Sequence, residues 1–285
     1  MEYRILGPVE VRHEGEEMPL DGAKQRTVLT ALLIAGDQMV FDTQLSEHLW
    51  GQCSPTTMNA QIYTYVSRLR KILGSHASIT RRSPGYVMQI GSGWFDLHDF
   101  QEQAQRGHSA LLVGKYEEAA SLLRSALALW RGPALANVSE HLAEAVRPQL
   151  EETRMAALAG RIDADLALGR HVQLLPELTQ LVRQYPLQER FRAQLMTSFY
   201  RCDRQADALA LYEQGRRMLA DELGVDPGLL LQEVLHAILT SDPELLGPRS
   251  RHMLAGVGRR TGAGFDQAVL PNHFECIEKI YRGPA

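Results

Sequence analysis

Cysteine is scarce in this 285-residue chain. Its three cysteines, Cys53, Cys202 and Cys276, are odd in number and far apart. That spacing excludes a disulfide framework and a paired-cysteine zinc site, and it fits a reducing cytoplasm. Long apolar runs are missing too. No stretch reaches the roughly 18 residues that a spanning helix needs, so no membrane partner is expected. The opening Met1-Glu2-Tyr3-Arg4 has neither the basic segment nor the apolar core of a secretory signal. The signatures of catalysis are absent as well: no His-Glu-x-x-His, no Gly-x-Ser-x-Gly and no loop ending in Gly-Lys-Ser/Thr. Gly256-Val257-Gly258 has no preceding strand and no third glycine at the required spacing, so it is not read as a dinucleotide loop. The expectation is no enzyme, no catalytic residue, no cofactor and no metal.

The most telling absence is local. The chain is mildly acidic, with a net charge of −4. Residues 1–50 carry nine acidic and four basic groups, whereas residues 51–90 carry five basic groups and no acidic one. The five are Arg68, Arg70, Lys71, Arg81 and Arg82. A solvated basic helix would explain a charge run by itself. A forty-residue block without a carboxylate also offers a place for a polyanion.

Within that block, Met58, Ile62, Val66, Leu69 and Leu73 recur at helical spacing and form one apolar stripe. Thr56 or Thr57 can cap the helix start and Gly74 its end. The opposite face carries Ala60, Thr64, Ser67 and Lys71, flanked by Tyr63 and Arg68. Then come Ile79-Thr80-Arg81-Arg82 and Tyr86-Val87-Met88-Gln89-Ile90, two alternating segments around Ser83-Pro84-Gly85, which read as a β-hairpin with two arginines at its tip. Hydroxyls and cations on a helix suit a DNA major groove, and a basic hairpin suits the adjoining backbone or minor groove.

Upstream, Tyr3 to Val11 is β-rich, Glu14-Gly15 is a turn, and Met18-Pro19-Leu20 reads as a returning strand. A helix from Lys24 ends at Gly36, with Val28, Leu29, Leu32 and Leu33 as its core face. Lys24 and Arg26 sit in its first turn, where the helix dipole disfavours cations. They are either tolerated at an exposed end or positioned to clamp a phosphate. Gln38-Met39-Val40 is a short strand, and Asp42 starts a helix closed by Gly51. Sheet, three helices and hairpin make an α+β winged helix-turn-helix over residues 1–92. Ser92-Gly93 is a hinge candidate.

The winged helix resembles the OmpR/PhoB-type DNA-binding domain, in the version found in the Streptomyces antibiotic regulatory proteins (the SARP family of activators). The matching stretches are Ile5-Leu6-Gly7-Pro8-Val9-Glu10-Val11, Gly22-Ala23-Lys24-Gln25-Arg26, Leu32-Leu33, Leu49-Trp50-Gly51, Tyr65 to Gly74, and Pro84-Gly85-Tyr86. Gly51-Gln52-Cys53-Ser54-Pro55 departs from the family, which often has an acidic residue and paired prolines there.

Residues 97–242 read as an all-α domain of tetratricopeptide-like repeats. The turns at Gly169 and Asp203 lie 34 residues apart, the tetratricopeptide period. The first repeat, from Gly114, carries an insertion around Gly132-Pro133. A terminal helix follows Asp226-Pro227. The segment around Asp203-Arg204-Gln205-Ala206-Asp207-Ala208-Leu209 and Leu219 to Gly228 is similar to the bacterial transcriptional activation domain of the same regulators. Residues 243–285 are Gly- and Arg-rich and are expected to form a mobile tail with a short docking helix at 274–281.

The resemblance implies an activator of antibiotic gene clusters. Such an activator binds double-stranded DNA at direct repeats overlapping the −35 region, as two protomers. It recruits RNA polymerase through the sigma and alpha subunits. The residues expected to face DNA are Tyr63, Thr64, Ser67, Arg68, Arg70, Lys71, Arg81 and Arg82, with Lys24 and Arg26 at the phosphate backbone. A helical-repeat scaffold, or an effector-sensing regulator whose winged helix docks on a protein, is the alternative.

Overall fold

The computed structural model describes residues 1–243 and Leu245. The rest of the expected tail, with its helix at 274–281, lies outside them. In chain order the elements begin with β1 (Glu2–Arg4), β2 (Glu10–His13) and β3 (Glu16–Glu17), an antiparallel meander. Glu14 and Gly15 both take positive φ at the β2–β3 turn, as a tight hairpin twisted with its strands requires. The returning strand therefore falls at 16–17 rather than 18–20, although the Met18 N–H still donates to the Val11 carbonyl at 2.8 Å.

Helix α1 (Gly22–Ala35) starts two residues before Lys24. The Gln25 side chain accepts from the Asp21 N–H at 3.0 Å, which tightens the first turn. Next come β4 (Val40–Phe41), α2 (Asp42–Trp50) and α3 (Met58–Leu73). The stripe read from the sequence is the buried one: Ile62, Val66, Leu69 and Leu73 are fully covered, beside Val28, Leu29 and Leu32 of α1 and Leu45 of α2. Gly74 ends α3 with φ of 55°, a conformation that costs glycine little. The hairpin β5 (Ser78–Arg82) and β6 (Gly85–Gln89) follows, and β4 completes its sheet in the order β4-β6-β5. Gly85 is required sterically: a Cβ there would lie 2.2 Å from the Val40 carbonyl oxygen.

After the hinge candidate Ser92-Gly93 the chain first returns to the N-terminal sheet. Strand β7 (Trp94–Phe95) pairs parallel with β1, Glu2 opposite Trp94 and Tyr3 opposite Phe95. Gly93 is a close approach, not open space, since a Cβ would meet the Tyr3 ring at 2.7 Å. Asp96 begins α4 (Asp96–Leu112) and is buried. Its carboxylate accepts from the N–H groups of Ile5 (2.9 and 2.8 Å) and Leu6 (3.0 Å). The same N-terminal stretch also pairs with the insertion. Arg131 N–H donates to Leu6 O at 2.8 Å, Leu135 N–H to Ile5 O at 3.1 Å, and Val9 N–H to the Asn137 side chain at 2.7 Å. The insertion after α5 (Tyr116–Leu127) is thus an extended partner for residues 5–9.

Helices α6 (Glu140–Ala167), α7 (His171–Gln184), α8 (Glu189–Arg201), α9 (Gln205–Leu223) and α10 (Leu229–Leu239) complete the described chain. Among the described residues, one compact unit comprises 1–105 and 125–155, and the other comprises 106–124 and the residues from 156 onward. In the second unit, neighbours in sequence pack together, α7 on α8, α8 on α9 and α10 on both. Met196, Ala208, Leu231 and Ile238 are at the core of this packing. Gly215 lets α9 approach α8 closely, because a Cβ there would meet the Arg192 side chain at 2.5 Å.

Candidate nucleic-acid interface

The outward face of α3 is the one expected. Ala60, Tyr63, Thr64, Arg68 and Lys71 are exposed and Ser67 is half-buried, all on one side of the helix. Tyr63 keeps 61% of its surface exposed, a large share for an aromatic residue. Thr64 donates its hydroxyl proton to the Ala60 carbonyl at 2.8 Å. Its oxygen lone pairs and methyl group remain available, which suits it to accept from a base amino group or to meet a thymine methyl. Among the described residues, Arg68 and Lys71 have no ion-pair or hydrogen-bond partner. Asn59, exposed in the first turn, was not among the residues read from the sequence. A carboxamide is the adenine-reading group of the major groove, but Asn59 lies beside the apolar stripe and not on the face of Thr64 and Lys71, so spacing does not single it out. Thr57 holds the cap position, but its hydroxyl accepts from the Gln61 amide at 3.0 Å and not from a backbone N–H.

The remaining cations of the block differ. Arg70 donates from Nε and Nη2 to the Ile79 carbonyl at 2.8 and 2.6 Å, joining α3 to the start of the wing. Arg81 forms a two-pronged pair with Asp42, at 2.5 and 2.7 Å, and its guanidinium lies 4.6 Å over the Tyr86 ring. The Asp42 pair raises the Arg81 pKa above its ordinary value, so the cation is permanent. Asp42 occupies the first turn of α2, where the helix dipole favours a carboxylate. It read as a helix start in the sequence, and its partner 39 residues away left no local signal. Arg82 is exposed and unpaired among the described residues.

Lys24 and Arg26 stand apart from this group. Lys24 lies 5.1 Å over the Trp50 ring at the end of α2. Arg26 is half-buried. Neither makes a hydrogen bond, ion pair or ring contact to α3 or the wing among the described residues. No described helix is long and apolar enough to cross a membrane. No group of three His, Cys, Asp or Glu side chains able to hold a metal ion occurs among the described residues.

Comparison with known proteins agrees with this arrangement. Residues 15–88 match the family described as transcriptional regulatory protein, C terminal, and residues 95–239 match the bacterial transcriptional activator domain. Regulatory protein AfsR of Streptomyces coelicolor is 40% identical over 246 residues, covering 86% of this chain and 25% of AfsR. The chain therefore spans only a quarter of that relative's length. Regulatory protein DnrI of Streptomyces peucetius is 32% identical over 254 residues, covering 85% of this chain and 93% of DnrI. Among solved structures, Mycobacterium tuberculosis EmbR in complex with low affinity phosphopeptide superposes with a TM-score of 0.81 at 32% identity, over 90% of this chain and 69% of that one. With an OmpR/PhoB-type winged helix followed by a bacterial transcriptional activator domain, the chain belongs to the Streptomyces antibiotic regulatory protein family of transcriptional regulators.

Proposed function

We propose that this protein is a cytoplasmic, sequence-specific activator that binds double-stranded DNA at direct repeats near a promoter −35 region and recruits RNA polymerase to an antibiotic or other secondary-metabolite gene cluster. Residues 1–92 serve as the DNA-binding domain and residues 97–242 as the activation domain. Helix α3 enters the major groove with Tyr63, Thr64, Ser67, Arg68 and Lys71. The wing, with Arg70, Arg81 and Arg82, meets the adjoining backbone or minor groove. Lys24 and Arg26 reach phosphates at the edge of the site. Two protomers on tandem repeats bind head to tail, which needs no two-fold interface in solution.

One observation supports this reading above the rest. The exposed face of α3 combines unpaired cations, a hydroxyl with free lone pairs and an exposed tyrosine, in a block without a carboxylate. Footprinting of the full chain on the promoters beside its own gene tests the proposal. Protection of two equally spaced repeats is the expected result. Failure to shift any duplex at low salt would instead make the helical repeats a protein-binding scaffold.

A further inference from the structure

Five cations stand in the carboxylate-free block, and the structure sorts them by what already holds each one. Arg70 closes on the Ile79 carbonyl near the beginning of β5, and Arg81 closes on Asp42 near its end. Successive strand residues point to opposite faces, so the adjacent Arg81 and Arg82 diverge and cannot grip one backbone side by side. Arg81 is turned to α2. Asp42, its partner, is fixed from a second direction, because its N–H donates to the Pro84 carbonyl at the wing tip at 2.9 Å. The Asp42 side chain is only 15% exposed. A phosphate taking Arg81 away would leave that carboxylate poorly solvated, unpaired and beside a polyanion, an unfavourable exchange. Arg82 has no such commitment among the described residues.

Resting on the DNA-binding reading above, we infer that Arg70 and Arg81 are positioning residues that set the angle of the wing, and that Arg82 is the wing's phosphate contact. Within the carboxylate-free block, Arg68 and Lys71 are the other cations free to face DNA. The wing is clamped at both ends of β5, at its root by Arg70 and at its tip by the Arg81–Asp42 pair. Its one free cation is thereby presented at a fixed place. Loss of Arg81 loosens that presentation without removing a phosphate contact.

The salt dependence of binding separates the two roles, because each lost phosphate contact lowers the slope of log K against log salt by about 0.9. The full chain is titrated with a random-sequence DNA duplex at graded KCl. Arg82→Ala is expected to lower the slope by about that amount. Arg81→Ala is expected to weaken binding several-fold with the wild-type slope. Arg81→Lys should resemble Arg81→Ala, since an ammonium cannot make the two-pronged pair. In an Asp42→Asn background, Arg81→Ala should add no further loss. Should Arg81→Ala not fold, Arg81→Lys and Asp42→Asn carry the same comparison. A slope lowered by Arg81→Ala as much as by Arg82→Ala, or full binding by Arg81→Lys, overturns the assignment while leaving the DNA reading intact. A wild-type chain that ignores the duplex at low salt removes the DNA reading and this inference with it.

Discussion

The helices of the second unit and the outward face of α3 and the wing use their cations differently. In the second unit several guanidinium groups are turned inward or onto neighbouring acids, although Arg183 is exposed and unpaired among the described residues. Arg124, Arg161 and Arg170 converge on the buried Asp165, Arg190 pairs with Asp163, and Arg192 and Arg201 donate to backbone carbonyls. On α3 and the wing, Arg68, Lys71 and Arg82 face outward without an internal counter-charge. Arginine content alone would not tell these surfaces apart. On the proposed reading, the unpaired cations on a face free of carboxylates await an external anion, whereas a cation ringed by acids and carbonyls holds helices together. The units also differ in how they close. The first joins irregular backbone at 5–9 to residues 131–137, while the second packs regular helices, neighbours in sequence among them.

The strongest test of this contrast removes an acid from the second unit. Asp165→Ala should cost about 2–3 kcal/mol in thermal or urea unfolding: the buried Arg161 loses one of its two carboxylate partners, keeping Glu177, while Arg124 and Arg170 are half-exposed. A near-neutral result would mean that the arginines are held by something else.

In the first unit, Asp96→Asn should cost about 2 kcal/mol. Oδ2 accepts from both the Ile5 and Leu6 N–H groups, and a carboxamide oxygen can take its place, but the amide NH2 that replaces Oδ1 then faces the Ile5 N–H, donor against donor, in a buried site. A pH signature accompanies this loss. Burial raises the Asp96 pKa from 3.8 to about 6, against the opposing hydrogen bonds from Leu6 and Ile5. The folded protein then binds the proton more tightly than the unfolded chain, so this group's contribution is complete below about pH 4 and is lost as pH rises through 6. The loss is at most about 3 kcal/mol. Urea unfolding between pH 4 and 7 should show this downward component in the wild type and lack it in Asp96→Asn.

On the outward face, Arg68→Ala should leave stability unchanged and raise the Kd for the footprinted promoter about tenfold, or 1.4 kcal/mol. Loss of folding in place of affinity would reclassify Arg68 with the arginines of the second unit. The smallest effect is expected at Arg216, which pairs with Glu213 on the exposed surface of α9. Exposed pairs contribute little, so Arg216→Ala should move neither the unfolding midpoint nor the Kd.

Much of this was legible in the amino-acid order, for local reasons. The stripe Ile62, Val66, Leu69 and Leu73 falls on one helical face, Gly74 permits the stop, and Pro84-Gly85 mark a reversal, so α3 and the wing follow from patterns a few residues long. Contacts at long range left no such trace. Residues 5–9 pair with residues 131–137 through irregular backbone, which has no period to detect. Trp94-Phe95 is too short to announce itself as a strand, and Gly93 reads as a hinge until the Tyr3 ring is seen against it. Of the site, the residues sharing the α3 face could be named from spacing alone. The commitment of Arg81 could not, because it depends on an acid at the start of another helix.

The pairing of residues 5–9 with residues 131–137 has a practical consequence for anyone who grafts one regulator's reading head onto another. A cut at residue 92 follows the family boundary but discards β7, Asp96 and the strip containing Arg131 and Asn137, leaving the amide groups of Ile5, Leu6 and Val9 without their acceptors. The transplantable piece reaches residue 155, partway along α6. A chimaera joined there takes its whole foundation with it, and one joined at the linker arrives without its floor.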